Sequence, residues 1–348
     1  MLSTISWGDE DRHAGLMTGG PFDKDVTHWR LAMHSFTGRD FVTMRGVERP
    51  DLELVFDVAR QMEQIVRSRT RTDLLRDKLL GLMFFQVSTR TCISFQSAME
   101  RLGGGVVGFT DPKTTRAGDY YSESLQDTVR MMENYADVLV MRHPQDGAPA
   151  QAAAIAGVPV INAGDGYNEH PTQALLDLYT ILRERGQLEG VRVGLVGDMR
   201  IRVFHSLALG LARYRAKTCF VSPVEASMPS QWKEEFGRVG LTYMETQSLE
   251  DVLSELDVIY LLGTKPPSFS VGRSEAMDVR PSTSPEYVVN CEKLARASPD
   301  LLLLHPLPRT DELPTEVDEH ASQRYFVQAH YGVAVRMALL ALIMGRAP

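Results

Sequence analysis

Apolar runs of strand length recur along this chain and alternate with segments of helical period, and no other feature restricts its fold as much. The runs are LGLMFF (80–85), VVGF (106–109), DVLVM (137–141), VPVI (158–161), VRVGLV (191–196), TCFVS (218–222), DVIYLL (257–262) and LLLL (301–304). Continuous apolarity suits strands buried on both faces, as in parallel sheets covered by helices. At 348 residues the chain exceeds the usual size of one core. The expected fold class is therefore α/β, with two domains that each hold a mainly parallel sheet flanked by helices. In HPTQALLDLYTILRERG, Pro171 suits a first helical position and Gly186 a stop, and this helix marks the junction. The closing HYGVAVRMALLALIMG is apolar nearly all round, the pattern of a buried helix that returns to the first half. The expected division is an N-terminal extension over 1–36, one domain over 37–170 plus 325–348, and a second over 171–324.

A net charge of −8 argues against a generic nucleic-acid binder, which depends on clustered Lys and Arg. Cys92, Cys219 and Cys291 are too few and too scattered for a disulfide framework or a zinc site, so no metal is expected. The first residues lack a basic stretch followed by an apolar core, and the apolar run Met337 to Met344 is far shorter than the ~20 residues of a membrane span. A cytoplasmic protein without membrane contact is expected.

After LGLMFF, the positions Phe95, Ala98, Met99 and Leu102 share one helical face, which puts Ser88, Thr89, Arg90 and Thr91 at the helix start. Unpaired N–H groups and the positive end of the helix dipole point outward there, and hydroxyls with a guanidinium add donors suited to a phosphate. Ser or Thr alone at such a position is an ordinary N-cap. Other polar groups follow strands too. MRHP (141–144) follows DVLVM, INAGDGYNEHPTQ (161–173) delivers His170 and Gln173 to the junction helix, and HPLPR (305–309) follows LLLL. Ligand groups in α/β sheets emerge at the carboxyl ends of strands, so a shared cleft is expected.

FFQVSTRTCISF, MRHPQDGAPAQAA, VPVINAGDGYNEHPTQALLDLYTI and LLLLHPLPRTDELPTEVD, in this order, resemble the aspartate carbamoyltransferases of the aspartate/ornithine carbamoyltransferase family. The resemblance runs from about residue 36 to the end. It implies a carbamoyl phosphate-binding first domain, an acceptor-binding second domain, a homotrimer with shared active sites, and no cofactor. By position it implies a phosphate clamp of Ser88, Thr89, Arg90 and Thr91. Arg142, His170 and Thr91 fall around the carbamoyl oxygen, with Arg90, Thr91, Arg142 and His170 as the catalytic set. Gln173 and the carbonyls of Pro306 and Leu307 receive the carbamoyl amide, and Leu307–Pro308 is expected to be cis.

The sequence departs from the family in two loops. The loop that reaches a neighbouring subunit reads TTRAGDYYSESL (114–125), and the family's lysine falls at Tyr120 or Tyr121. A charge-assisted contact of ~1.5–3 kcal/mol is lost there, which Arg116 is placed to restore. On the acceptor side the resemblance assigns Arg202 and Leu307, which are retained, but DVIYLL continues GTKPPSF. Gly263 thus stands at a family arginine and Lys265 at a glutamine. Lysine does not replace a bidentate guanidinium. The expected function is therefore carbamoyl transfer to a small amine or amino acid other than aspartate. The alternatives are an aspartate enzyme in which Lys265 and Arg116 compensate, and a catalytically silent homologue acting as a structural or regulatory partner. VRVGLVGDMR lacks G-x-G-x-x-G, which disfavours a nicotinamide enzyme.

Overall fold

The computed structural model describes residues 36–117, 123–264 and 283–347. Apart from Phe36, the expected extension lies outside the described residues, as do Tyr120, Tyr121 and Lys265. The first sheet contains β1 (Leu79–Phe84), β2 (Gly105–Phe109), β3 (Val138–His143) and β4 (Val160–Asp165), in the order β2-β1-β3-β4. The second contains β5 (Arg192–Val196), β6 (Lys217–Val221), β7 (Tyr243–Thr246), β8 (Val258–Leu261) and β9 (Leu302–Leu304), in the order β7-β6-β5-β8-β9. Every neighbouring pair is parallel. The helices are α1 (Arg49–Ser68), α2 (Thr89–Arg101), α3 (Leu125–Met132), α4 (Ala148–Ala153), α5 (Pro171–Arg185), α6 (Arg202–Ala212), α7 (Ser230–Arg238), α8 (Cys291–Leu294) and α9 (Tyr325–Ile343).

Two parallel-sheet α/β domains are thus present, as the continuous apolar runs require. β4 and β8 are buried at every position and β1 at all but its first. β7 is a strand that the apolar runs do not announce. It lies at the outer edge of its sheet, half-exposed, and mixes polar with apolar residues in YMET. Pro171 opens α5, and Gly186 closes it in the left-handed region at φ 81°.

One apolar cluster joins Leu80 and Leu82 of the first sheet to Val193 and Leu195 of the second, through residues of α5, α6 and α9. α9 is longer than the apolar run in the sequence suggests, and by length and composition alone could cross a membrane. Most of it is buried, however, and it packs on α1, α2 and α5 as core.

The strand orders determine where a ligand fits. The order reverses between β1 and β3 in the first sheet and between β5 and β8 in the second. At such a switch point the connections leave on opposite sides, and a crevice opens outside the carboxyl ends. Both crevices face the same cavity.

Candidate active site

The cavity measures about 530 Å³, and its wall begins with Ser88, Thr89, Arg90 and Thr91 where β1 passes into α2. Ser88 occupies the N-cap position, yet its side chain makes no capping hydrogen bond, and the first turn carries no acidic residue. The ordinary capping role is not taken up, so the hydroxyl and the first-turn N–H groups remain for a ligand.

Arg142 projects from the end of β3 where the register with β4 shifts, a local irregularity of the kind that re-aims a side chain. Its Nη1 donates to the Ala163 carbonyl at 3.2 Å and lies 3.5 Å from His170 Nε2. Its Nε has no hydrogen-bond partner among the described residues. Burial, reinforced by the charges of Arg202 and Arg90, pulls its pKa well below the usual arginine value.

The loop before α5 delivers His170 through a set of buried carboxylates. Asp165 accepts from Gly147 N, Asn162 Nδ2, Asn168 Nδ2 and Glu169 N, which closes the loop on itself. Glu169 accepts from Met44 N at 2.8 Å, Arg45 Nη1 at 2.8 Å, Ser206 Oγ at 3.0 Å and the Thr43 hydroxyl. The His170 N–H donates to Ser206 Oγ at 2.9 Å. Its ring Nδ1 is buried without a partner among the described residues. Burial first, then Arg202 and Arg142, hold its pKa well below the histidine range, so the imidazole is neutral and able to donate from one nitrogen.

Arg202 opens α6 and is 2% exposed, donating to the Gly166 carbonyl at 3.0 Å and to Gln86 Oε1 at 3.2 Å. Burial lowers its pKa to about 10. Gly164 is what admits it. A Cβ there would lie 3.0 Å from Arg202 Cζ and 3.1 Å from His170 Cδ2, on a backbone at φ 110°.

The loop after β9 forms the facing wall. Leu307 adopts φ 55° and its bond to Pro308 is cis. Leu307 N donates to His305 Nδ1 at 2.8 Å, and His305 Nε2 meets Glu312 Oε1 at 2.9 Å. Although burial raises the Glu312 pKa, hydrogen bonds from His305 and Thr310 bring it down to about 2. Pro306 and Leu307 line the cavity opposite Gln173 of α5.

The structure thus brings Ser88, Thr89, Arg90, Thr91, Arg142 and His170 to one cavity, together with Gln173, Arg202, Pro306 and Leu307. Arg116 is exposed and is not part of the wall within its own chain. His143 turns away from the cavity and packs on Phe85 at 4.7 Å between ring centroids.

Three further groups on the wall escape the sequence reading: Arg336, Glu312 and Gln328. Arg336 was detectable in principle, since a lone arginine in VAVRMALL has to be accommodated inside an apolar helix. It is 3% exposed, and burial lowers its pKa to about 10. Four arginines and two histidines, one of them tied to the single glutamate, make a site for a polyanion, with donors aimed at a bound oxygen. Among the described residues, the cavity lining contains no cysteine.

Residues 39–183 match the aspartate/ornithine carbamoyltransferase, carbamoyl-P binding domain, and residues 189–343 match the aspartate/ornithine carbamoyltransferase, Asp/Orn binding domain. The aspartate carbamoyltransferase catalytic subunit of Thermococcus gammatolerans is 44% identical over 311 residues, 89% of this chain and 99% of that one. The corresponding subunit of Methanopyrus kandleri is 45% identical over 317 residues, 90% of this chain and 99% of that one. Among solved structures, aspartate transcarbamoylase from Trypanosoma cruzi in complex with carbamoyl phosphate and aspartate superposes with a TM-score of 0.78. It shares 32% identity, covering 89% of this chain and 98% of that one.

Proposed function

The chain belongs to the aspartate/ornithine carbamoyltransferase family, and from that premise we propose that its cavity moves the carbamoyl group of carbamoyl phosphate to an amine. The observation that carries this reading is the uncapped Ser88-Thr89-Arg90-Thr91 helix start facing the Arg142–His170 pair across one cavity. The phosphate rests on the helix start and Arg90. Thr91, Arg142 and neutral His170 donate to the carbamoyl oxygen, while Gln173 and the carbonyls of Pro306 and Leu307 accept from the carbamoyl amide. The acceptor amine attacks the carbamoyl carbon and a C–N bond forms. The bond between the carbamoyl carbon and the bridging phosphate oxygen then breaks, and the departing phosphate takes the amine proton. Negative charge grows on the carbamoyl oxygen meanwhile, where donors fixed in advance act as an oxyanion hole.

In this reading residues 37–170 with 325–348 bind the donor and 171–324 bind the acceptor. The protein is cytoplasmic and works as a homotrimer in which Arg116, Tyr120 and Tyr121 reach a neighbour's site.

The names of the relatives support aspartate as the first acceptor to test, with Arg202 on its carboxylate. A second reading, another small amine as acceptor, is favoured by Gly263. A Cβ at this position would lie 3.2 Å from Glu312 Oε2, so an ionised carboxylate borders the place where the resemblance calls for an arginine. The test is phosphate release and product mass with carbamoyl phosphate and a panel of amines including aspartate. Robust turnover with aspartate at modest concentration removes the second reading. Phosphate release that ignores every acceptor removes transfer altogether.

A further inference from the structure

Behind the cavity wall, one carboxylate oxygen ties together the two structures that face the donor's amide. Asp177 lies one turn after Gln173 on α5 and is fully buried. Its Oδ1 accepts from Gln173 Nε2 at 2.9 Å and from Gln328 Nε2 of α9 at 2.6 Å. Gln328 Oε1 in turn accepts from the His305 N–H at 2.9 Å, at the root of the HPLPR loop. The Tyr260 hydroxyl faces the same carboxylate at looser geometry.

The orientation of both glutamines follows from what a carboxylate is able to do. A side-chain amide has a donor end and an acceptor end, and both amides meet the same Asp177 oxygen, Oδ1, which offers lone pairs to each whether or not a proton sits on Oδ2. Gln173 therefore commits its NH₂ to Asp177, which leaves its carbonyl oxygen for a ligand in the cavity. Gln328 commits its NH₂ likewise, so its carbonyl oxygen holds the loop that presents the carbonyls of Pro306 and Leu307. An alternative amide orientation would put a donor where an N–H of the donor substrate has to be received.

We propose that Asp177 is a positioning residue that makes the cavity read a primary amide, by setting the Gln173 carbonyl and, through Gln328, the Pro306–Leu307 loop. The inference rests on the carbamoyl phosphate reading. It assigns Asp177 no contact with substrate.

The test compares Asp177→Asn with Asp177→Leu, each in the full chain, with carbamoyl phosphate turnover and inorganic phosphate affinity as readouts. Asn keeps an oxygen able to accept from both amides, so kcat/KM for carbamoyl phosphate stays within about threefold. Leu removes the acceptor, and two misdirected neutral hydrogen bonds cost ~10–100-fold in kcat/KM. Phosphate affinity holds within about threefold in both variants, since the helix start is untouched. In a chain already carrying Gln173→Ala and Gln328→Ala, the added cost of Asp177→Leu shrinks below about threefold. An undiminished cost in that background overturns the assignment, as does a phosphate affinity that falls in step with turnover. A wild-type chain that binds phosphate without ever releasing it from carbamoyl phosphate overturns the transfer reading and this one together. Normal wild-type turnover with equal loss in the Asn and Leu variants overturns this one alone.

Discussion

Replacing Arg142 with Met separates what the cavity does from what holds the fold together, because the two effects have opposite signs. Met keeps most of the apolar stem and removes the guanidinium. Burial and the charges of Arg202 and Arg90 already disfavour that charge, and no carboxylate is paired with it among the described residues. An ion enclosed in this way costs the native state several kcal/mol even after relaxation. Against this stand a hydrogen bond from Nη1 to the Ala163 carbonyl at 3.2 Å and a longer contact with His170 Nε2 at 3.5 Å, together worth about 1 kcal/mol net. The balance favours the variant by about 1–3 kcal/mol, or a rise of ~1–4 °C in melting temperature for a chain of this length. Catalysis moves the other way. Loss of one oxyanion donor costs ~10²–10³ in kcat. Urea denaturation followed by circular dichroism measures the first effect, and steady-state phosphate release the second. A variant that unfolds more readily than wild type refutes the electrostatic argument. One that turns over within about threefold of wild type refutes the role of Arg142 in the reaction.

Gly164→Ala pushes a methyl group to 3.0 Å from Arg202 and 3.1 Å from His170 on a backbone at φ 110°. The expected result is a ~10–100-fold loss of kcat/KM with about 1–3 kcal/mol of destabilisation, read by kinetics and thermal melting. Asp177→Asn has a pH-dependent stability effect. Burial pushes the Asp177 carboxyl up to about 7 from an ordinary 3.8, so its ionisation costs the native state nothing below pH 3.8, progressively more between there and pH 7, and a constant amount above. At about 1.4 kcal/mol per pH unit, the advantage of Asn is absent near pH 4 and grows to about 4 kcal/mol at pH 8, measured by denaturation at each pH. Glu63→Ala unties α1 from α5 by leaving the Tyr179 hydroxyl and Arg183 without their carboxylate. Arg183 and Arg67 are 30% and 61% exposed and regain water, which places the cost at the low end, about 3 kcal/mol in urea denaturation. A cost below about 1 kcal/mol would show that the buried cluster contributes little.

Local pattern carried much of the fold. LGLMFF and DVIYLL are strands because an unbroken apolar run of that length has to be covered on both faces, and Pro171 and Gly186 bracket α5 for backbone reasons visible in two residues. YMET was silent because an edge strand with one wet face needs neither continuous nor strictly alternating apolarity. Tyr120 and Tyr121, on which the argument about the loop from a neighbouring subunit rests, and Lys265, on which part of the acceptor argument rests, lie outside the described residues.

The cavity divides along the same line. Ser88 to Thr91, Arg142, His170, Gln173, Arg202 and the HPLPR loop could be picked out in sequence, because each sits at the end of a recognisable strand or the start of a helix. That Ser88 leaves its helix uncapped, that Arg336 enters from the last helix, and that Asp177 joins Gln173 to a residue 151 positions away were decided only by the tertiary structure. The physical reason is range. Propensity and periodicity act over a few residues, whereas a buried charge or amide is defined by partners that only the packing of distant segments brings within hydrogen-bond distance.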